Sequence, residues 1–224
     1  MKILSLDTSS RICSVAILED MQPIYEQNID DEKSHSQNLM PMIKKAFEST
    51  NLSLHDIDLF CVSKGPGSFT GIRIGISTIK AFVDVLEKKV IGVSSLEGLA
   101  YHVKDKDYVC SLIDANNDQV YYGLFQYQDN QYHLVGEYLA EHIDYIIQTL
   151  KLHSIETITF VGNGAVIHHD KIIQNFGGQA QFAPTKCNDS SAVGIGIAGF
   201  LKYGSGFYED SSSLCPLYLR KSRC

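Results

Sequence analysis

Residues 65–75 read Gly-Pro-Gly-Ser-Phe-Thr-Gly-Ile-Arg-Ile-Gly, and this stretch is the most informative part of the 224-residue chain. Two glycines flank a proline, which predicts a tight turn, because glycine adopts backbone angles closed to other residues and proline fixes one of its own. A predicted helix follows at once, and free backbone N–H groups at its start suit an anion or a closely approaching partner. A purely structural turn is the alternative reading of these residues.

The same stretch departs from the standard nucleotide and nucleophile motifs. A Walker loop requires Gly-Lys-Ser/Thr, whereas Gly71 is followed by isoleucine and arginine. The dinucleotide fingerprint would need a glycine at Thr70. A nucleophile elbow would need a glycine where Pro66 stands. None of these three functions is therefore indicated by residues 65–75.

The chain repeats one order of elements twice. Each half opens with an apolar strand that ends in an aspartate, Asp7 or Asp114, and continues through a turn into two further predicted strands. A helix, a strand and a glycine turn follow, the turns being residues 65–67 and 162–164. This repetition predicts a duplicated α/β fold with two lobes, each a mixed sheet with helices. The charged stretch 104–107 places the boundary, giving an N-terminal lobe at 1–104 and a C-terminal lobe at 105–224.

Six short segments follow one another along the chain: 3–10, 35–41, 65–75, 93–97, 112–115 and 216–220. Together they resemble the TsaB family, also called YeaZ, the accessory proteins of bacterial tRNA threonylcarbamoyladenosine biosynthesis. The resemblance covers essentially the whole chain, and it implies the actin/Hsp70/sugar-kinase (ASKHA) architecture. One departure is Asn116, where the family commonly has arginine, so any role of that loop in the family is not carried over here.

In the ASKHA architecture the turn after the first strand, and its counterpart in the second half, face a nucleotide phosphate. Aspartate and serine also form turns by bonding their own backbone, so weak ATP or ADP binding, shared with partners, is left open. No other cofactor is expected. The resemblance assigns these vestigial phosphate turns to Asp7, Thr8, Ser9, Gly162, Asn163 and Gly164.

The residues that could hold a catalytic metal are missing. No two of the eight histidines are three or four residues apart, and the six cysteines include no Cys-x-x-Cys. The catalytic paralogue TsaD carries a His-Met-Glu-Gly-His motif, and the corresponding segment here has Ser95 and Leu99 at the two histidine positions. Glu97 persists, and with Ser94 it is interpreted as a capping box at a helix start. We expect no metal and no catalytic residue.

Two predicted helices, 39–48 and 70–86, supply a candidate interface. The second helix is apolar on two opposite sides. It also carries a small-residue strip, Gly71, Gly75 and Thr78, which lets another helix approach closely. The resemblance implies that both helices pair with their equivalents in TsaD, or with a second copy of this chain when TsaD is absent. A fully intramolecular core is the alternative. The predicted interface residues are Leu39, Met40, Ile43, Phe47, Gly71, Ile74, Gly75, Thr78 and Phe82.

The composition favours an ordinary globular protein that does not bind RNA by itself. Apolar residues make up 44% of the chain, and the net charge is −7. Proteins that bind RNA alone usually present a basic face, because phosphate neutralisation supplies most of the affinity. The one basic cluster is the tail 220–223, which either touches RNA or is simply solvated. We expect a cytoplasmic protein, with no membrane segment, that reaches tRNA mainly through a complex.

These observations predict a non-catalytic scaffold. By resemblance it binds and activates TsaD, which transfers a threonylcarbamoyl group to the tRNA adenosine next to the anticodon, and TsaE joins the larger complex. One alternative is an ATPase or sugar kinase of the actin-like fold, for which Asp7 and Asp114 are the obvious carboxylates. A glycoprotease-type peptidase is a further alternative, although no nucleophile with a base is visible in the sequence.

Overall fold

The computed structural model describes residues 1–30, 35–103 and 105–220. They contain two five-stranded mixed sheets flanked by helices, which confirms the predicted duplicated α/β fold. The predicted boundary residue Lys104 and the tail residues 221–223 lie outside the described residues. The helices are α1 (His35–Thr50), α2 (Phe69–Leu86), α3 (Ser95–Ala100), α4 (Ile143–Lys151), α5 (Asn163–Ile167), α6 (His169–Phe176) and α7 (Ala192–Gly204).

The first sheet has the strand order β3-β2-β1-β4-β5. Strand β1 pairs antiparallel with β2, β2 pairs antiparallel with β3, and the β1–β4 and β4–β5 pairs are parallel. The parallel strand β4 reads Leu-Phe-Cys-Val-Ser and is buried throughout, as expected of a strand covered on both faces. The strands are β1 (Lys2–Asp7), β2 (Cys13–Glu19), β3 (Gln22–Ile29), β4 (Leu59–Ser63) and β5 (Lys89–Val93).

The second sheet repeats this arrangement with the order β8-β7-β6-β9-β10. Its first three strands are antiparallel neighbours, and β6, β9 and β10 run parallel. Strand by strand, β6 is therefore the counterpart of β1, and β9 is the counterpart of β4. The strands are β6 (Tyr108–Asp114), β7 (Gln119–Gln128), β8 (Gln131–His142), β9 (Ile158–Val161) and β10 (Ala180–Phe182).

The chain is divided into two compact units. Residues 1–98 and 190–217 form the first unit, and residues 99–189 with the segment from Tyr218 onward form the second. The predicted lobes, 1–104 and 105–224, differ from these units mainly in the placement of 190–217. That segment contains α7, which packs on the first sheet, where Gly196 lies against Leu18 and Gly199 lies against Cys61.

Candidate functional site

The turn after β1 uses its polar groups within the protein. The buried Asp7 carboxylate accepts hydrogen bonds from the Ser9 backbone N–H at 2.9 Å and from the Ser9 hydroxyl at 2.7 Å. The Thr8 hydroxyl donates to the Gly71 carbonyl at 2.7 Å. The Ser9 carbonyl accepts from the Ser68 N–H at 2.6 Å. This turn is therefore fastened to the start of α2.

The glycine turn of residues 65–67 allows that close approach. Gly65 and Gly67 have φ values of +100° and +152°, which side chains rarely adopt. A Cβ atom at Gly67 would lie 2.1 Å from the Ser9 carbonyl oxygen. Ser68 then caps α2, since its hydroxyl accepts from the Gly71 N–H at 3.2 Å. The geometry favours the structural reading of this turn, because its first role is to pack against the turn after β1.

The strand order of the sheets corrects the predicted correspondence between the two phosphate turns. Because β6 corresponds to β1, the counterpart of the Asp7 turn is the turn that follows Asp114. Gly162, Asn163 and Gly164 follow β9 and correspond instead to residues 65–67. A Cβ at Gly162 would lie 2.2 Å from the Leu112 carbonyl, and the Asn163 side chain accepts from the Asp114 N–H at 3.0 Å. In each half, then, a glycine turn packs on the end of the first strand.

The two glycines of the small-residue strip, Gly71 and Gly75, face the interior of the first unit. A Cβ at Gly71 would lie 2.0 Å from the Thr8 carbonyl oxygen, and one at Gly75 would lie 2.5 Å from the Thr8 hydroxyl. Leu39 and Ile43 of α1 are likewise buried in the core of this unit. For these four residues of the predicted interface, the structure supports the intramolecular alternative.

The outer side of α2 is mostly apolar, and its residues Ala81 and Val85 are exposed. Val85 is 82% exposed, and Met40 of α1 is 50% exposed. Five residues recur on one side of α2 at helical spacing and are exposed or partly exposed; we refer to them as the outer strip. Phe47 of α1 is also partly buried. The outer strip consists of Ile74, Thr78, Ala81, Phe82 and Val85.

The candidate interface thus keeps part of the predicted set and gains two members. Of the predicted residues, Met40 is exposed, and Thr78 is partly buried. Phe47, Ile74 and Phe82 are also partly buried, and they pack against the core of the first unit. Ala81 and Val85 were not among the predicted residues. The signal for them was the apolar side of the helix opposite the buried Ile72 and Ile76, which sequence alone did not separate from the inward side.

Glu97 is held by a cation instead of by the predicted capping box. Its carboxylate is buried, and Oε2 accepts a hydrogen bond from the Lys202 ammonium of α7 at 2.6 Å. The Ser94 hydroxyl accepts from the Leu96 N–H at 3.3 Å, and the Ser95 hydroxyl lies 2.8 Å from that of Ser63. Across residues 1–30, 35–103 and 105–220, no group of three histidine, cysteine or acidic side chains is arranged to hold a metal ion.

We expect Lys202→Met to destabilise the first unit by about 3 kcal/mol, because it leaves the buried Glu97 carboxylate without its counter-charge. Glu97→Gln should also destabilise, since the ammonium then loses its anionic partner. The double variant should be more stable than the sum of the two losses predicts, because it removes the pair together. Urea unfolding of the four proteins measures this coupling.

The exposed pair Lys44 and Glu48, whose charged groups lie 3.7 Å apart on α1, supplies the matched control. Lys44→Met should change stability by no more than about 0.5 kcal/mol, since exposed ion pairs contribute little. Strictly additive losses in the Glu97/Lys202 cycle would show that the two charges are not coupled.

The buried thiols do not form a reactive site. Burial raises the pKa of the Cys61 and Cys110 thiols, so both remain neutral. They lie in the interior strands β4 and β6 of the two sheets. In the part of the chain that the structure describes, no helix has both the length and the apolar character needed to cross a membrane.

Comparison with known families shows similarity over most of the chain. The model of the family "TsaD: tRNA N6-adenosine threonylcarbamoyltransferase" matches residues 30–221. The Bacillus subtilis tRNA threonylcarbamoyladenosine biosynthesis protein TsaB is 36% identical over 130 residues, which are 58% of this chain and 57% of that protein. The Escherichia coli protein of the same name is 34% identical over 133 residues, covering 58% of this chain and 57% of that protein. These matches thus span little more than half of either relative.

Solved structures share the fold over nearly the full length. YeaZ from Pseudomonas aeruginosa superposes with a TM-score of 0.79 at 24% identity, covering 97% of this chain and 99% of that one. The ROK hexokinase from Thermus thermophilus superposes with a TM-score of 0.59 at 8% identity, covering 92% of this chain and 100% of that one. At such identities the likeness concerns the fold alone, and it confirms the predicted ASKHA architecture.

A longer match comes from the TsaB protein of Buchnera aphidicola subsp. Acyrthosiphon pisum, which is 30% identical over 158 residues, or 69% of this chain and 70% of that protein. Together with the family model, which matches residues 30–221, this match decides the family. The chain belongs to the TsaD family and, within it, to the TsaB proteins, also called YeaZ.

Proposed function

We propose that this chain is a non-catalytic subunit in tRNA threonylcarbamoyladenosine biosynthesis, which binds TsaD and activates it. TsaD would transfer the threonylcarbamoyl group from threonylcarbamoyl-adenylate to the adenosine next to the anticodon. TsaE joins the larger complex, and the chain pairs with a second copy when TsaD is absent. Family membership supports the pathway, and the outer strip of α2, in which Ala81 and Val85 are exposed, is the observation that carries the interface.

The outer strip has the character of a protein–protein contact. Apolar side chains placed in a row on an accessible helix face gain free energy when a partner removes them from water, at about 25 cal/mol per Å². Met40 on the neighbouring helix α1 is half exposed as well. TsaD is a paralogue of the same fold, so it has equivalent helices to pack against these two. This chain would then supply a surface and an orientation.

The surroundings of Glu97 support a non-catalytic role. Lys202 neutralises the carboxylate at 2.6 Å, and Ser95 and Leu99 stand at the histidine positions of the TsaD motif. Leu99 is buried, so this position is part of the packed interior. We propose that the chemistry belongs to TsaD and that this segment is a structural remnant of the shared scaffold.

The contacts of Asp7 support the proposal that the chain holds no cofactor of its own. Ser9 engages the Asp7 carboxylate twice, and the N–H of Ser68 covers the neighbouring carbonyl. We further propose that the protein works in the cytoplasm and reaches tRNA through the complex. The net charge of −7 supports this route, since RNA binding by the isolated chain would need a basic face.

We expect Val85→Asp to weaken binding to TsaD by at least about tenfold, because a carboxylate in the outer strip would be buried without a partner. Val85 is 82% exposed, so the fold should be unaffected. The modification of tRNA in a reconstituted system should fall in parallel. Sedimentation of the mixed proteins reports assembly, and thermal melting reports the fold.

Val166→Asp is the matched control, since Val166 of α5 is also an exposed valine, at 54%, but belongs to the other unit. It should bind TsaD like the unaltered chain. Normal assembly of the Val85→Asp protein would show that the outer strip is not the interface. Equal loss in both variants would show that the effect of the added charge is not local.

A further inference from the structure

The segment after α7 runs along the first unit and then enters the second; we call residues 209–220 the C-terminal strap. The Glu209 N–H donates to the Val90 carbonyl at 2.9 Å, and the Glu209 carboxylate accepts from the Gly92 N–H at 2.7 Å. The Leu217 N–H donates to the Lys64 carbonyl at 2.6 Å. Three residues later, Nη1 of Arg220 donates to the Ala115 carbonyl at 2.6 Å. Arg220 was predicted to be part of a solvated or RNA-contacting tail, and here it is bound to its own protein.

The turn that Arg220 contacts has an unusual backbone. Asn116, Asn117 and Asp118 have φ values of +62°, +54° and +55°, so three consecutive residues other than glycine are left-handed. Asparagine and aspartate tolerate this conformation singly, and runs of it are disfavoured. All three side chains are exposed, so packing of the turn residues themselves does not hold the conformation. Other contacts must stabilise it.

Arg220 supplies such a contact on both sides of the turn. Ala115 is buried, and a buried carbonyl needs a donor, which the guanidinium provides with a charge-assisted hydrogen bond. The guanidinium carbon also lies 5.6 Å from the centre of the Tyr121 ring, on β7 just after the turn. Within the turn, the Ala115 N–H donates to the Gln119 carbonyl, the Gln119 N–H donates to the Asn116 carbonyl, and the Asn116 N–H donates to the Asp114 carboxylate.

We propose that Arg220 is a clasp through which the C-terminal strap fixes the left-handed turn between β6 and β7. This turn is the counterpart of the turn after β1, which is fastened by Thr8 and Ser68 instead. Arg220 binds the turn through Nη1, and its Nη2 is buried without a hydrogen-bond partner among the described residues. Arg220 is thus a positioning residue, and the order of the turn depends on a side chain 105 residues away in sequence.

Hydrogen exchange followed by NMR tests the clasp. In Arg220→Ala, the amides of Asn116 and Gln119 should exchange at least about tenfold faster, since the turn opens locally without its external donor. Amides of β1 and β9 should keep their exchange rates. Arg220→Lys, which retains the charge and one donor, should show a smaller increase at the same amides, and it carries the test if the alanine variant does not fold.

Arg11→Ala is the control, because Arg11 is an 82% exposed arginine in the first unit that forms a surface ion pair with Asp30. It should leave the turn amides unchanged. Unaltered exchange at Asn116 and Gln119 in both Arg220 variants would overturn the proposal. A uniform increase throughout the second unit would also overturn it, since Arg220 would then support the whole unit and not the turn.

Discussion

Gly199→Ala is expected to cost the first unit roughly 3 kcal/mol of its free energy of unfolding, although alanine is the better helix former. Gly199 lies in α7 where the helix crosses β4, and an added Cβ would lie 2.2 Å from the Cys61 sulfur and 3.2 Å from the Cys61 Cβ. Cys61 lies in β4 of the first sheet and is fully buried. The helix would have to lift from the sheet. Urea unfolding monitored by circular dichroism measures the loss.

Gly204→Ala is the matched control, because it makes the same change in the last residue of the same helix. Nothing lies within 4 Å of a Cβ added at Gly204. Its stability should therefore rise by about 0.5 kcal/mol or stay unchanged. A rescue variant sharpens the test: Cys61→Ala should restore much of the stability of Gly199→Ala, because it removes the sulfur that the new methyl group meets. A fully stable Gly199→Ala protein would rule out this close packing.

Gly71→Ala should have a comparably large effect at the start of α2. The added Cβ would lie 2.0 Å from the Thr8 carbonyl oxygen, which belongs to the backbone and cannot rotate away. Either the helix or the turn after β1 must move, so we expect a loss of at least about 3 kcal/mol, a large share of the stability of an ordinary domain. Thermal unfolding measures it. Ser77→Ala, at an exposed position of the same helix, should remain within about 0.5 kcal/mol of the unaltered chain.

Gly75→Leu separates the two readings of the small-residue strip. If the strip met a partner helix, the variant would fold and fail to assemble. A Cβ atom added at Gly75 would lie 2.5 Å from the Thr8 hydroxyl oxygen. We therefore expect the leucine to unfold the first unit. A folded Gly75→Leu protein that has lost only its assembly would contradict the packing described here.

Much of the fold was predictable because each half carries its own complete pattern. The apolar strands ending in Asp7 and Asp114, and the glycine turns that follow the fourth strand of each half, gave the duplication and the mixed sheets. The position of α7 was not predictable in the same way. It follows the charged stretch 104–107 in the sequence, so it was assigned to the C-terminal lobe. Periodicity shows that a helix packs closely, but it does not show which sheet it packs on.

Only part of the candidate site was predictable, because periodicity does not show which side of a helix is internal. The periodic pattern located both apolar sides of α2, and the structure was needed to show that the side with Gly71 and Gly75 is internal. The pairing of Glu97 with Lys202 spans 105 residues, and no local sequence pattern reports such a contact. Glu97 instead fitted a capping box, which requires only the Ser94 spacing. The contact of Arg220 with Ala115 was missed because it also joins distant positions.

Glu209 has a consequence for how this protein behaves at high concentration. Strand β5 is the last strand of its sheet, and an uncovered outermost strand offers its backbone to other chains, which leads to aggregation. Glu209 blocks this by taking two of those backbone groups, the Val90 carbonyl and the Gly92 N–H. Shortened forms that stop before Glu209 would leave this edge strand uncovered and would aggregate more readily, although Glu209 is not among the residues proposed to contact a partner.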